Sequence, residues 1–280
     1  MPKTDLILAI CSSAAISLIM RLSGPRVKNN VSMLAVNYCT CIFLAALFAG
    51  GQNLFPADPE LPRALWMGII HGVLFLAAFL TFQHSVRRNG MVLSAIFMKL
   101  GLLVPMVLSI FLFGEIPAPL QILGFILAVG AIILINYEKD AAASASAAGL
   151  LVLLILGGTA DAMSKVFEEL GPGQLSEQFL LYTFLTAFFL CLGLVTVKKQ
   201  RFTRWELVFG FAIGIPNFFS ARFLLGALEQ LDAVIVYPSY SVAAILLITL
   251  AGTVCFRERL KKHQWVALAI ILIALVLLNL

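Results

Sequence analysis

The chain has 280 residues, of which 61% are hydrophobic and only 12% are charged, and its formal net charge is +5. Soluble domains contain about 45–50% apolar and about 25% charged residues. With 19 basic and 14 acidic side chains, a chain of this length cannot cover a soluble surface. The composition therefore excludes an ordinary soluble protein and predicts an all-α integral membrane protein.

Ten apolar runs follow one another along the chain, and each is long enough to cross a bilayer. A helix rises about 1.5 Å per residue, so about 20 residues cross the hydrocarbon layer. The runs lack the alternation of apolar and polar residues that marks the strands of a β-barrel. The first run is interpreted as a span, because Asp5 does not suit the basic start of a signal peptide. The predicted spans are, in order, 5–22, 31–50, 64–86, 90–113, 119–137, 149–169, 176–197, 205–227, 233–256 and 264–280.

The loops between these spans separate basic residues onto two sides. Two loop residues, Lys3 and Arg63, fall on one side, and fourteen fall on the other. In short loops such a bias marks the cytoplasmic side, so we predict a protein of the cell membrane with both termini outside. The basic loops indicate contact with anionic lipid headgroups rather than with nucleic acid. The fourteen residues are Arg21, Arg26, Lys28, Arg87, Arg88, Lys139, Lys198, Lys199, Arg201, Arg204, Arg257, Arg259, Lys261 and Lys262.

The two halves of the chain carry the same markers in the same order. We predict two five-helix repeats, 1–138 and 148–280, joined by a linker over 139–147. Because five is odd, the second repeat must enter the membrane inverted, as in many secondary transporters. The markers are Gly24-Pro25, Gly68, Gly72, Glu115, Gln121 and Asn136 in the first half, and Gly171-Pro172, Gly210, Gly214, Glu258, Gln264 and Asn279 in the second.

Two short motifs close the fourth span of each repeat, namely Phe113-Gly114-Glu115 and Phe256-Arg257-Glu258-Arg259-Leu260. Each is followed by a glutamine and then by an apolar span with asparagine near its end. Over residues 5–280 this pattern resembles the EamA family of the drug/metabolite transporter superfamily. Arg257 departs from the pattern, because the family usually has glycine at this point.

The resemblance implies ten helices around a central cavity that is lined mainly by spans 1, 3, 4, 6, 8 and 9. It implies transport of amino acids or other metabolites, and several members of the family are exporters. The small multidrug relatives carry a membrane glutamate in their first span, and this chain has none there. Proton-coupled export of cationic drugs in their manner is therefore not supported.

Four charged residues lie away from the ends of the predicted spans: Lys99, Asp161, Lys165 and Arg222. A charge near the bilayer centre costs at least about 2.5–3.5 kcal/mol, so it should face the interior of the protein. Asp161 and Lys165 are four residues apart and can pair on one helix face. Lys165 and Arg222 can alternatively extend to the nearer membrane surface. Lys99 has no acidic residue near it in the sequence.

If all four residues face the cavity, the cavity carries a surplus of positive charge. A substrate carboxylate or phosphate would offset that surplus, so we expect an anionic or zwitterionic solute such as an amino acid. In the rival interpretation only Lys99 faces the cavity, and the cavity suits uncharged or cationic molecules.

Other polar residues are candidates for lining a binding site. His71 in span 3 is either a buried, hydrogen-bonded histidine or a proton relay. Pro105, Pro216 and Pro238 are expected to interrupt spans 4, 8 and 9, and broken helices often surround a transport site. Kinks that serve helix packing alone are the equal alternative. A polar and aromatic cluster lies beside the last two prolines, namely Asn217, Tyr237, Ser239, Tyr240 and Ser241.

Two pairs of residues are interpreted as parts of the repeat. Tyr38 and Tyr182 are expected to occupy matching packing positions in spans 2 and 7. Glu115 and Glu258 lie at helix ends, where capping or loop contacts are expected rather than substrate binding.

No catalytic constellation, metal-ligand spacing or phosphate-binding glycine loop is visible in the sequence, so neither an enzyme nor a cofactor is expected. The favoured interpretation is a secondary transporter that moves a small metabolite by alternating access, driven by a gradient and coupled to an ion or a proton. The alternative is a non-transporting membrane protein, such as a lipid-handling enzyme or an assembly subunit. The expected partners are a small-molecule substrate and the lipid bilayer, and either a monomer or a homodimer agrees with the sequence.

Overall fold

A computed structural model describes residues 2–49, 54–89, 91–135, 147–256 and 262–278. Within these residues all regular structure is helical. Seven helices in the described part are long and apolar enough to cross a membrane. The chain is therefore a multi-pass membrane protein. The helices are α1 Pro2–Ser23, α2 Asn30–Phe48, α3 Leu61–Asn89, α4 Met91–Leu100, α5 Leu103–Leu112, α6 Pro119–Ile135, α7 Ala147–Leu170, α8 Ser176–Val197, α9 Arg204–Leu228, α10 Ala233–Phe256 and α11 Lys262–Leu278, with a short 3₁₀ turn at Gly173–Leu175.

The fourth predicted span is broken into two helices, α4 and α5, at Gly101 and Leu102. Pro105 lacks an N–H group and its ring conflicts with the carbonyl four residues earlier, which is that of Gly101. The Gly101 oxygen accepts instead from the Val104 N–H at 2.9 Å, which is the tighter pattern of a 3₁₀ turn. The predicted interruption is thus confirmed here, and it lies two residues after Lys99.

The other two prolines do not break their helices. Pro216 lies inside α9 and Pro238 lies inside α10, and both helices continue past them. The prediction that these prolines interrupt spans 8 and 9 is wrong, because a membrane helix tolerates proline where neighbouring groups satisfy the freed carbonyl.

The described chain forms two compact units. Unit 1 contains residues 1–76 and 166–229, and unit 2 contains residues 77–165 and 230–280. Each unit therefore draws helices from both halves of the sequence. Three repeat markers lie outside the described residues, namely Asn136, Glu258 and Asn279. Arg257 and most of the predicted linker also lie outside them.

Unit 1 contains a close helix contact that is made by glycines of α3. A Cβ added at Gly68 would lie 2.7 Å from the Tyr182 Cβ and 3.0 Å from the Phe179 oxygen. At Gly72 it would lie 2.5 Å from the Thr183 oxygen and 2.7 Å from the Thr186 Cβ. Only glycine permits this approach of α3 to the backbone of α8.

A second contact in unit 1 has the same form, and it is made by glycines of α9 on α2. A Cβ at Gly210 would lie 2.6 Å from the Met33 oxygen and 2.6 Å from the Val36 Cβ. At Gly214 it would lie 2.5 Å from the Thr40 Cβ and 2.8 Å from the Asn37 oxygen. The residues of α2 that these glycines contact match the residues of α8 that the α3 glycines contact. In each matched pair the residue numbers differ by 146. The pairs are Met33 and Phe179, Val36 and Tyr182, Asn37 and Thr183, and Thr40 and Thr186.

This register changes the interpretation of the buried tyrosines. With a shift of 146, Tyr38 corresponds to Phe184, and Tyr182 corresponds to Val36. The prediction that Tyr38 and Tyr182 occupy matching positions is therefore wrong by two residues. Tyr38 and Phe184 instead stack on each other with ring centroids 6.4 Å apart.

In unit 2, α6 packs against α11 and α10 packs against both. A Cβ at Gly124 of α6 would lie 3.0 Å from Leu277 and 3.1 Å from the Ala274 oxygen of α11. Near the break after α4, Gly101 approaches Gly158 of α7 so closely that a Cβ on Gly158 would clash with the Gly101 oxygen. This contact brings the end of α4, and with it Lys99, against the middle of α7.

Candidate functional site

Two opposite charges lie near each other in unit 2, Lys99 at the end of α4 and Asp161 in α7. They are close enough to interact electrostatically. Among the residues that the structure describes, however, no ion pair or hydrogen bond joins the Lys99 ammonium to the Asp161 carboxylate. The two charges are therefore near each other without direct contact.

The Asp161 side chain is exposed although it lies well inside an apolar helix. It shares a helix face with Gly157, Gly158 and Lys165, which are three or four residues away. That face contacts protein, because Gly157 lies against Met98 and Gly158 lies against Gly101. Asp161 therefore lies on the face of α7 that packs against the end of α4, although its own side chain is exposed. The exposed apolar side chains of the same helix point away from it, as for Val152 and Ile155.

Tyr237 of α10 is connected directly to the same point of α7. Its hydroxyl donates a hydrogen bond to the Asp161 carbonyl oxygen at 2.7 Å, and its side chain is buried. Tyr240, three residues further along α10, is half-buried. The two tyrosines that the sequence singled out thus lie on the helix that supports Asp161.

Lys165 does not pair with Asp161, as its spacing had suggested, and it does not extend to the membrane surface. Its ammonium lies 2.9 Å from the Glu115 carboxylate, with 5% and 8% of the two side chains exposed. The second Glu115 oxygen accepts from the Val234 N–H at 3.1 Å, in the first turn of α10. The expected capping role of Glu115 is therefore confirmed, and a buried ion pair is added to it.

Arg222 lies in unit 1 and also has an acidic partner there. Its Nε lies 2.6 Å from Glu177 at the start of α8, and its guanidinium lies 4.7 Å from the centre of the Phe48 ring. An arginine over an aromatic face is stabilised by the ring quadrupole.

These pairings overturn the predicted surplus of positive charge. In unit 2, Lys99 and Lys165 are balanced by Asp161 and Glu115, and in unit 1 Arg222 is balanced by Glu177. The argument that a substrate anion must neutralise a surplus therefore fails.

The remaining candidates, His71 and Asn217, both lie in unit 1. The His71 ring stacks on Phe179 at 5.3 Å, and its Nδ1 lies 3.4 Å from the Thr183 hydroxyl. His71 is 3% exposed, which agrees with the interpretation as a buried structural histidine. The Asn217 amide donates to the Asn37 side-chain oxygen at 3.2 Å and links α9 to α2.

The sequence interpretation missed the ion-pair role of two acidic residues. Glu115 was predicted to cap a helix but not to bind Lys165, and Glu177 was not considered. Both lie at helix ends in the sequence, so neither was counted among the charges within spans. Their position at span ends is the only sequence signal for them, because their cationic partners are distant in sequence and are set by tertiary packing.

Comparison with known proteins agrees with this architecture. Residues 143–280 match the EamA-like transporter family. An uncharacterized protein of Haemophilus influenzae is 25% identical over 282 aligned residues, which cover 94% of this chain and 93% of the relative. A protein of known crystal structure superposes with a TM-score of 0.77 at 13% identity, over 99% of this chain and 95% of the other. At that identity the likeness shows the fold alone.

Proposed function

Because residues 143–280 belong to the EamA-like transporter family, we propose that this multi-pass membrane protein is a secondary transporter of a small solute across the cell membrane. The solute binds at Lys99 and Asp161 in unit 2, and access to that site alternates between the two sides of the membrane.

The separated charges of Lys99 and Asp161 support a zwitterionic solute. A solute that carries a carboxylate and an ammonium group could place the carboxylate at Lys99 and the ammonium at Asp161. Each of the two charges would then gain a charge-assisted hydrogen bond. A simple anion would leave Asp161 without compensation, and a simple cation would do the same to Lys99. This arrangement favours a molecule such as an amino acid.

The matched glycine contacts support alternating access. The contact of α3 on α8 repeats as the contact of α9 on α2, at corresponding backbone positions. Two structurally equivalent halves can exchange conformations and thereby open a shared site to opposite sides. With five predicted spans per half, the two copies would run in opposite senses across the membrane.

A binding screen with matched ligands tests the proposal. Zwitterionic amino acids are compared with carboxylates that lack the amine and amines that lack the carboxylate. A ligand that binds the folded state at 100 times its dissociation constant stabilises it by about 2.7 kcal/mol. We expect zwitterions to raise the unfolding temperature of the purified protein and the single-charge ligands to leave it unchanged.

Uptake into proteoliposomes then separates binding from transport. The protein should exchange a labelled zwitterion against the same unlabelled compound, and empty liposomes should not. Stabilisation by anions alone or cations alone would contradict the zwitterion site, and binding without exchange would contradict the transporter.

The proposed orientation makes a separate prediction. Because the basic loops mark the cytoplasmic side, residues 57–61 should be external and residues 198–204 internal. In a background without native cysteines, Ala57→Cys should react with an impermeant maleimide added to intact cells, and Lys199→Cys should react only after the cells are opened. The opposite labelling pattern would show that the orientation is reversed.

A further inference from the structure

Glu115 closes a ring of contacts around the Lys99–Asp161 site in unit 2. It pairs with Lys165, which lies one helical turn after Asp161 in α7. It also accepts from the Val234 N–H, which lies one turn before Tyr237 in α10. Tyr237 completes the ring by donating to the Asp161 carbonyl oxygen. The residue thus holds α7 and α10 together beside the charge that is proposed to bind the solute.

This ring lies toward one end of the helices. Glu115 follows α5, Val234 begins α10, and Lys165 is five residues from the end of α7. The predicted topology places all three positions on the outer side of the membrane. The Glu115–Lys165 pair therefore joins helix ends between the external surface and Asp161.

The sequence of the other half does not predict the same ion pair. Gly24-Pro25 and Gly171-Pro172 align the first and sixth spans, and this alignment places Leu18 where the second half has Lys165. In the sequence alignment of the two repeats, the counterpart of Glu115 is Glu258, and the counterpart of Lys165 is therefore an apolar leucine. The alignment therefore predicts a lysine–glutamate pair of this kind in one repeat and not in the other.

We propose that Glu115 and Lys165 form a one-sided latch that holds the outer end of unit 2 closed over the Lys99–Asp161 site. The proposal rests on the proposed function, because a latch has meaning only where access to a site alternates. Within the closed protein each of the two buried charges compensates the other, and neither can lose its partner without leaving an uncompensated buried charge. Opening the outer end requires separating and hydrating them, so the latch biases the empty transporter toward the state that is closed to the outside.

Breaking one side of the pair should open this end. Lys165→Met leaves the Glu115 carboxylate buried without its cation, and an uncompensated buried charge is strongly unfavourable. Hydration of Glu115 in an opened state relieves that penalty. The double variant Glu115→Gln/Lys165→Met removes both charges, and its glutamine oxygen can still accept from the Val234 N–H. It should therefore return part of the way to the closed state.

Labelling of a reporter cysteine tests the latch without any need for a substrate. Ser164 is 9% exposed and lies between Asp161 and Lys165, so Ser164→Cys reports on access from outside. In an otherwise cysteine-free protein, Lys165→Met should raise the rate of reaction with an external impermeant maleimide by about 10-fold or more. Lys165→Arg should keep the slow rate.

A matched control comes from an exposed ion pair on the same predicted side. Arg63 and Glu60 lie 2.8 Å apart with 59% and 43% of their side chains exposed. An exposed pair contributes little, so Arg63→Met should leave the labelling rate unchanged. Equal acceleration by Arg63→Met, or no acceleration in folded Lys165→Met protein, would overturn the latch.

The two proposals can fail separately. If Lys165→Met is labelled faster but the protein exchanges no solute, the proposed latch is supported and the proposed transport function is contradicted. The opposite result is also possible: the wild type exchanges zwitterions, but the labelling rate is unchanged in folded Lys165→Met and in the double variant. That result would support the transport function and contradict the latch.

Discussion

Asp161→Asn and Lys99→Met should each lower zwitterion exchange by about 10- to 100-fold, because hydrogen bonds to charged groups contribute about 1.5–3 kcal/mol. Each substitution removes one pole of the proposed site and keeps the approximate size of the side chain. Lys99→Met should weaken the hold on the solute carboxylate, and Asp161→Asn should weaken the hold on its ammonium group. Initial rates in proteoliposomes over a range of concentrations measure both the affinity and the maximal rate.

Charge removal elsewhere provides the control for this experiment. Lys198 is exposed after the end of α8, and Glu169 is exposed near the end of α7. Lys198→Met and Glu169→Gln should exchange the solute at nearly the wild-type rate. If Lys99→Met and Asp161→Asn transport as well as these controls, the solute does not bind at the separated pair.

Gly72→Ala and Gly214→Ala should each destabilise the protein by about 1–3 kcal/mol or more, because overpacking forces the neighbouring helices apart. The added methyl group would lie 2.5 Å from the Thr183 carbonyl oxygen in the first case and 2.5 Å from the Thr40 Cβ in the second. Backbone on the opposite helix cannot move aside without shifting the whole helix. Because the two contacts have the same form, the two losses should be similar. Thermal or denaturant unfolding of the purified variants measures both.

Gly193→Ala is the matched control, because an added Cβ at Gly193 has nothing within 4 Å in the described structure. This glycine lies in α8, where alanine is the better helix former by about 1 kcal/mol. Gly193→Ala should therefore be neutral or slightly stabilising. Wild-type stability in Gly72→Ala and Gly214→Ala would show that the helices do not approach as closely as described.

Much of the secondary structure could be predicted from the sequence, because apolar length is a local property. The ten predicted runs correspond to helices within the described residues, and the break at Gly101 follows from the Gly101–Pro105 spacing. It could not be predicted in this way that the helices continue past Pro216 and Pro238. Whether a proline breaks a membrane helix depends on groups from neighbouring helices.

The partners of the charged residues could not be predicted from spacing. Asp161 and Lys165 have the spacing of a helical ion pair, yet Lys165 pairs with Glu115 and Asp161 lies near Lys99. Each actual partner is distant in sequence, so the choice depends on tertiary packing. The alignment of Tyr38 with Tyr182 could not be checked from sequence either. Both residues are tyrosines, which suggested that they match, but the helix contacts align Tyr38 with Phe184, two residues further on.

The paired glycine contacts show that two similar helix contacts within one chain can differ in their side chains. An isologous dimer interface uses one patch twice, so any substitution appears on both sides of the symmetry axis. The contacts of α3 on α8 and of α9 on α2 have this form, but their side chains have diverged, as Asn37 and Thr183 illustrate. In a covalently joined pair each patch can change alone. One half can therefore have lysine at position 165 while the other half has leucine at the matching position 18.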